Sequence, residues 1–311
     1  MGKYLLGKLG RAVLTIIAVV TFAFLTLHAA GDPAVVMLSP DTPPEVLDAF
    51  RREWGLDQPL WQQYLTYWGN ILHGNFGESM RSDRPALELI MDRLPATLTL
   101  MLPALVFKIG LGIPLGILAA LNRNTWIDRV TIAGAVFSHA VPNFVMGFLL
   151  VILFSVTLHW LSSGGFEKPT DLILPIVTLG TSGAAIIARF TRSAMVDVLG
   201  QPYVRAAQAK GLPWSQVILT HVLPNAAIPT LTIVGLMVGS LVAGSVIVET
   251  IFSWPGVGRL LILSVSTRDL PVVQTLLILI AGAMVAANLT VDFLYGVIDP
   301  RVRLATATRT K

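Results

Sequence analysis

The chain has 311 residues, of which 54% are apolar and only 13% are charged. Soluble domains are usually about one quarter charged, so the composition indicates an integral membrane protein. The chain has no cysteine, which excludes disulfides, thiolate metal sites and cysteine nucleophiles. Its net charge of +4 does not indicate nucleic-acid binding, because the basic residues lie between apolar segments and not on one polar domain.

Six apolar segments are long enough to cross a membrane, whose hydrocarbon core of about 30 Å needs roughly 20 helical residues. The first resembles a secretory signal peptide, with Lys3, Lys8 and Arg11 before its apolar run. Five further segments favour an uncleaved first helix. The sequence therefore predicts an all-α fold with six transmembrane helices, at residues 9–30, 96–121, 130–158, 172–188, 228–248 and 272–294.

The positions of Lys and Arg predict the orientation, because these residues favour the cytoplasmic side of a span. The basic N-terminus is placed in the cytoplasm, and an even number of spans places the tail 301–311 there as well. The other basic residues near cytoplasmic span ends are Arg123, Arg129, Arg189, Arg192, Arg205 and Lys210. Segment 31–95 has ten acidic residues and five arginines, which fits the outer side.

These spans define four regions. Residues 1–30 form the cytoplasmic N-terminal end and the first span, and residues 31–95 form a small helical cap on the outer surface. Residues 96–300 form a membrane core of five spans with a cytoplasmic loop at 189–225, followed by the cytoplasmic tail 301–311.

The cap contains a predicted helix that begins near Pro59. Its apolar residues recur at spacings of three and four residues and are Leu60, Trp61, Tyr64, Leu65, Trp68 and Leu72. Such a stripe must pack on something. It can lie in the lipid headgroup layer, bind a soluble partner, or pack on the spans of this chain.

The cytoplasmic loop 189–225 has the pattern of a short helix between two breaks. Pro202 is well placed to start a helix over 203–210, which Gly211 ends, and a further helix ends before Pro224. A helix of about two turns is marginal in water and must be held by contacts. One side of this helix is predicted to carry Tyr203, Ala206, Ala207 and Lys210. By pattern alone, the loop is either a docking element for a partner or an ordinary amphipathic connector.

The string PYVRAAQAKGLPWSQVILTHVLPNA resembles the signature loop of permease subunits in ATP-binding-cassette importers. That pattern is Glu-Ala-Ala, three residues, Gly, nine residues, Ile, one residue, Leu-Pro. Five residues match the pattern at the right spacing, namely Ala206, Ala207, Gly211, Leu223 and Pro224. Two residues depart from the pattern, because Arg205 stands at the Glu position and His221 at the Ile position. Arg205 puts in doubt any role that needs a carboxylate at its position.

Three further strings are similar to the dipeptide, oligopeptide, glutathione and nickel branch of these permeases. They are GLDQPLWQQYLTYWGNILHGNFGESM, VETIFSWPGVGRLL and VDFLYGVIDPRVR. The large outer loop is similar to that of the first permease of the pair. The resemblance implies the type I importer fold, a bacterial inner-membrane location and import of small peptides by alternating access.

The resemblance also implies the partners of this chain. These are a second, homologous permease, two ATPase subunits, a periplasmic substrate-binding protein and the lipid bilayer. This chain has no Walker phosphate loop, so ATP and magnesium would be bound by the ATPase subunits. No cofactor is expected in this chain, and it would not be an enzyme. The ATPase-coupling residues implied are Tyr203, Arg205, Ala206, Ala207, Lys210, Gly211, His221, Leu223 and Pro224.

Lys108 lies near the middle of the second predicted span and Glu249 at the outer end of the fifth. Charge in lipid is costly, so both should face protein or water, and both are candidate pathway residues. The sequence has no metal-ligand cluster and none of the motifs of an intramembrane hydrolase. An ion-coupled secondary transporter remains the alternative, with a break at Gly112-Ile113-Pro114 and with Asn288 and Asp292 available for ion coupling.

Overall fold

The computed structural model describes residues 2–29, 31–39 and 41–298. The predicted cytoplasmic tail at 301–311, and residues 299 and 300 of the predicted core, lie outside the described residues. Regular structure within the described residues is helical, apart from an isolated β-bridge between Glu78 and Pro85. The helices are α1 (Gly2–Ala29), α2 (Pro33–Leu38), α3 (Pro44–Glu53), α4 (Leu60–Leu72), α5 (Ala86–Leu121), α6 (Trp126–Ala140), α7 (Asn143–Leu150), α8 (Ile173–Leu199), α9 (Pro202–Ala209), α10 (Trp214–Val217), α11 (Leu223–Ile251), α12 (Val257–Thr267) and α13 (Leu270–Ile298).

The helices agree with the predicted spans, with one change of shape. Five are long and apolar enough to cross a membrane, and a sixth span exists if the bent pair Trp126–Ala140 and Asn143–Thr157 is counted as one. The axes of this pair differ by 101°. The span predicted at 130–158 is therefore present as two helices with a sharp bend between them. Pro142 explains the break, because a proline disfavours helical dihedrals in the preceding residue, and Val141 is extended (φ −80°, ψ 119°).

The chain divides into two compact units, and α5 runs from one into the other. The first unit comprises the residues up to Thr97 together with Pro255–Ala283. Segment 255–283 therefore groups with the N-terminal part of the chain, although the sequence placed it in the core at 96–300. The second unit comprises Leu98–Trp254 and the described residues from Met284 onward.

In the first unit, α12 and the start of α13 pack on the cap and on the first part of α5. Two apolar clusters hold these parts together, one around Ile90, Val257 and Leu276 and the other around Leu27 and Met80. The Thr97 hydroxyl accepts a hydrogen bond of 2.8 Å from the backbone N–H of Val257, which starts α12.

Asp269 is the polar anchor of this first unit. Its carboxylate precedes α13, is 3% exposed, and accepts hydrogen bonds from the Ser79 hydroxyl (2.5 Å) and the backbone N–H of Met80 (3.2 Å). Burial raises the pKa of the Asp269 carboxyl, and the hydrogen bonds that it accepts, together with the charge of Arg81, only partly oppose this. The contact joins residues 190 positions apart in the chain, so it fixes the end of the cap to the start of α13.

In the second unit, α5 and α8 approach closely along a line of glycines. A Cβ at Gly112 would lie 2.7 Å from the carbonyl oxygen of Ala184, and one at Gly116 would lie 2.6 Å from that of Ala188. Gly180 and Gly183 provide matching space on α8. In a membrane, where apolar side chains gain little by leaving lipid, small residues of this kind allow helices to associate through close backbone packing.

Candidate functional site

The candidate site is the loop that follows α8. Helix α8 itself continues to Leu199, beyond the predicted end of the span at 188. Arg192 fixes this extension to α6. Its Nε and Nη2 donate hydrogen bonds of 2.5 and 2.7 Å to the two carboxylate oxygens of Asp128, and the backbone N–H of Asn124 donates a third to the same carboxylate. Sequence reasoning used Arg192 only as a topology signal and missed this pair, because nothing in the sequence spacing brings position 128 to position 192.

The short helix predicted over 203–210 is present as α9 (Pro202–Ala209). Gln201 before it is extended, and Pro202 occupies the first helical turn, where its missing N–H leaves no hydrogen bond unmade. Gly211 follows with φ of +80°, a conformation that glycine adopts without the steric cost that a Cβ imposes. Both ends of the predicted helix are therefore confirmed to within one residue.

A compact apolar cluster fills the inside of the loop. Val204 and Ala207 of α9 are 1% and 5% exposed. They belong to one cluster with Met195 of α8 and with residues of the return helix, Val217, Ile218 and Val222. The cluster connects α9 to both flanking helices, so a displacement of α9 by itself would break this apolar packing. Sequence reasoning missed it, although Val204 and Ala207 are three residues apart and lie on one side of the helix.

The position of Ala207 corrects the predicted outer face of α9. Ala207 was placed on one side with Tyr203, Ala206 and Lys210, but it packs inward, whereas the other three are exposed. The reason is that Val204 has the larger apolar side chain and decides which side of the helix is buried. The exposed residues of α9 and its C-terminal end therefore include Tyr203, Arg205, Ala206 and Lys210, but not Ala207.

The remaining residues of the predicted site lie where the chain returns to the membrane. The prediction of a helix end before Pro224 is wrong: α10 continues through a π-helical segment, Ile218–Val222, directly into α11. Pro224, in the first turn of α11, has no N–H to donate, and the wider π turn before it accommodates this. His221 lies in that segment, with Nδ1 2.6 Å from the Thr220 hydroxyl, and Leu223 packs on the cluster inside the loop.

Among the residues that the structure describes, none packs closely on Gly211. A Cβ at Gly211 would meet no atom of the described residues within 4 Å. Within this chain, the glycine therefore serves backbone conformation and not close packing.

The two charged candidates of the pathway, Lys108 and Glu249, are buried inside the second unit, at 5% and 0% exposure. The prediction that both face away from lipid is confirmed. The methylenes of Lys108 lie over Gly183, where a Cβ would come within 2.6 Å of them. Lys108 forms no ion pair with any residue that the structure describes.

The fold is that of permease subunits of ATP-binding-cassette importers. The chain superimposes on two inward-facing structures of the MetNI methionine ABC transporter with TM-scores of 0.58 and 0.60. The match covers 69% of this chain and 98% of the compared chain at 19% identity, so it defines the fold alone.

Sequence comparison defines the family. Residues 112–304 match the model of the binding-protein-dependent transport system inner membrane component, and residues 1–101 match the N-terminal model of such membrane components. The chain is 42% identical to the glutathione transport system permease protein GsiC of Escherichia coli K12 and to that of Salmonella typhi, over 304 residues, 97% of this chain and 99% of each relative. The chain therefore belongs to the family of inner-membrane permeases of binding-protein-dependent transport systems.

This membership settles the coarse function. The chain is a multi-pass, inner-membrane permease subunit of a binding-protein-dependent ATP-binding-cassette importer, and it is a transport component and not an enzyme. The alternative of an ion-coupled secondary transporter is therefore not retained.

Proposed function

We propose that this permease imports small peptides, a class that includes dipeptides, oligopeptides and glutathione, by alternating access. The near full-length similarity to permeases named for glutathione transport supports this class. In this proposal the chain pairs with a second, homologous permease. A periplasmic binding protein delivers the substrate, and two ATPase subunits bind ATP and magnesium.

We further propose that α9 is the point at which an ATPase subunit moves this chain. The observation that carries the proposal is the division of α9 into two sides. Tyr203, Arg205, Ala206 and Lys210 face outward, available to a partner. Val204 and Ala207 face inward and pack on α8 and on the helix that leads into α11.

A force applied to the outer side of α9 is therefore transmitted to two spanning helices at once. Arg192 adds a second connection, because its ion pair with Asp128 ties the extended end of α8 to α6. Gly211, His221, Leu223 and Pro224 belong to the return path from α9 into α11. They shape the coupling loop without facing the partner on the outer side of α9.

Adjacent alanines provide the test. Ala206→Glu adds a charged side chain to the outer side and should release the ATPase subunits while the second permease still co-purifies. Ala207→Glu instead buries a charge inside the loop and should lower the yield of folded permease. Ala49→Glu, at an exposed alanine of α3, is the matched control and should change neither property.

The measurement is co-purification with a tagged permease, together with peptide-stimulated ATP hydrolysis in the reconstituted transporter. Full ATPase retention and normal stimulation with Ala206→Glu would refute the docking role of α9. The substrate class is tested separately, by uptake of labelled dipeptide, oligopeptide and glutathione into proteoliposomes.

Lys108 and Glu249 are the proposed polar residues of the pathway. Lys108→Met keeps an unbranched side chain that is one heavy atom shorter and removes the charge. If the ammonium contributes to the pathway, this variant should lower uptake while binding of the ATPase subunits is unchanged. Uptake equal to that of the unmodified transporter would remove Lys108 from the pathway.

A further inference from the structure

Helix α4 of the cap lies along the outer end of α1. The Tyr64 hydroxyl is 2.6 Å from the Thr21 hydroxyl, and the ring of Tyr64 makes an edge contact with that of Phe24 at 5.3 Å. One turn further out, His28 Nε2 is 3.0 Å from Gln63 Oε1. Thr21 is eight residues before the end of α1 at Ala29, which corresponds to about 12 Å along a helix. The α4 contacts therefore extend well below the outer end of the first span.

The surface that α4 leaves uncovered is divided lengthwise into two strips. The apolar strip consists of Trp61, Leu65, Trp68 and Leu72, at spacings of four, three and four residues. Three of its members are strongly exposed, with Trp61 at 65%, Leu65 at 60% and Leu72 at 82%. The polar strip consists of Gln62, Thr66 and Asn70, which are also exposed. With about 100° per residue, the two strips and the side facing α1 occupy different directions around the helix.

The composition of α4 differs from that of the neighbouring cap helix. Residues 60–72 contain no charged side chain, whereas the ten residues of α3 contain Glu45, Asp48, Arg51, Arg52 and Glu53. A cap helix surrounded by water would be expected to resemble α3. A helix that lies between lipid and water keeps a strongly apolar side, with aromatic residues at the boundary.

We infer that α4 is an interfacial helix, with its apolar strip in the outer leaflet of the bilayer and its polar strip toward the periplasm. The apolar strip is then continuous with the lipid-facing surface of α1, where Phe22 and Leu25 are 72% and 56% exposed. The cap is thereby held at the membrane surface, and only its charged part around α3 extends into water. Of the three packing partners considered for this stripe, the inference assigns two. Tyr64 packs on the first span of this chain, and Trp61, Leu65 and Leu72 contact lipid, so no soluble partner is needed.

The absence of cysteine from the chain makes a direct test possible, since each introduced cysteine is the only one in this subunit. Leu65→Cys and Thr66→Cys place a nitroxide spin label on the apolar and the polar strip at adjacent positions. Trp61→Cys and Gln62→Cys repeat the comparison one turn earlier. The assembled transporter is reconstituted in vesicles of phosphatidylethanolamine and phosphatidylglycerol. Collision rates are then measured with oxygen, which concentrates in lipid, and with a water-soluble nickel chelate.

The oxygen-to-nickel ratio should be several-fold higher at positions 65 and 61 than at positions 66 and 62, with or without the periplasmic binding protein. Equal nickel access at all four positions would show that α4 stands in water. Protection of positions 65 and 61 from both reagents would show that protein covers the apolar strip. Either result overturns the inference. ATPase activity of each labelled transporter confirms that the variant is assembled, and the comparison does not depend on the identity of the transported peptide.

Discussion

The packing of α5 on α8 makes Gly112 sensitive to the smallest possible substitution, Gly112→Ala. The added Cβ would lie 2.7 Å from the Ala184 carbonyl oxygen and 2.8 Å from the Ile187 Cβ. Ordinary contact begins near 3.4 Å, so the helices must separate by 3.4 − 2.7 = 0.7 Å. Because one obstacle is backbone, no side-chain rotation relieves the overlap. Insertion of a methyl group into a packed interior costs typically about 1–3 kcal/mol.

Gly110→Ala is the matched control on the same helix. A Cβ at Gly110 would meet no described atom within 4 Å, and replacement of an unpacked helical glycine by alanine is favourable by up to about 1 kcal/mol. The gain in helix propensity is common to both substitutions, so the two variants should differ in stability by the packing cost alone, roughly 1–3 kcal/mol.

The measurement is the fraction of the detergent-solubilised transporter that remains monodisperse after heating at a series of temperatures. Gly112→Ala should be lost at a lower temperature than the unmodified protein, and Gly110→Ala at the same or a higher one. Equal heat resistance of the two variants would refute the close approach of α5 and α8 at Gly112.

Three further outcomes are expected. Arg192→Ala leaves the nearly buried Asp128 carboxylate without its ion-pair partner. It should destabilise the protein by roughly 1–3 kcal/mol, a value between those for exposed and for buried ion pairs. Arg189→Ala is the control at an exposed position one turn earlier, and it should have almost no effect in the same heating assay. Because burial raises the pKa of Asp269, its contribution to stability is complete below the unfolded pKa of about 3.9 and declines as the pH rises through the folded value. Asp269→Asn should remove this decline, and an unchanged pH dependence of stability would exclude Asp269 as its source. Gly211→Ala should lower the stability of the protein by about 1 kcal/mol through backbone strain alone, because φ at this position is positive. Gly211→Asn should lower it less, because asparagine tolerates positive φ. Equal stability of the unmodified protein and both variants would contradict the positive φ at Gly211.

The sequence alone determined the membrane class, the approximate positions of the spans and the short helix at 203–210. These features depend on local properties: the length of apolar segments, the placement of prolines and glycines, and the spacing of residues along one helix. The break at Val141-Pro142 is also a local feature, because the proline that causes it lies within the apolar segment itself.

Only the tertiary structure decided which side of each helix is buried. Ala206 and Ala207 are identical side chains, and the inward position of the second follows from the packing of Val204 on α8 and α10. The pairs Arg192–Asp128 and Ser79–Asp269 join positions 64 and 190 residues apart, and no local pattern indicates such partners. In α4, the spacing of apolar residues predicted one apolar stripe. Only the contact of Tyr64 with Thr21 distinguished the part of the stripe that packs on α1 from the part that we infer to contact lipid. Burial depends on how helices pack against one another, and that is a property of the whole fold.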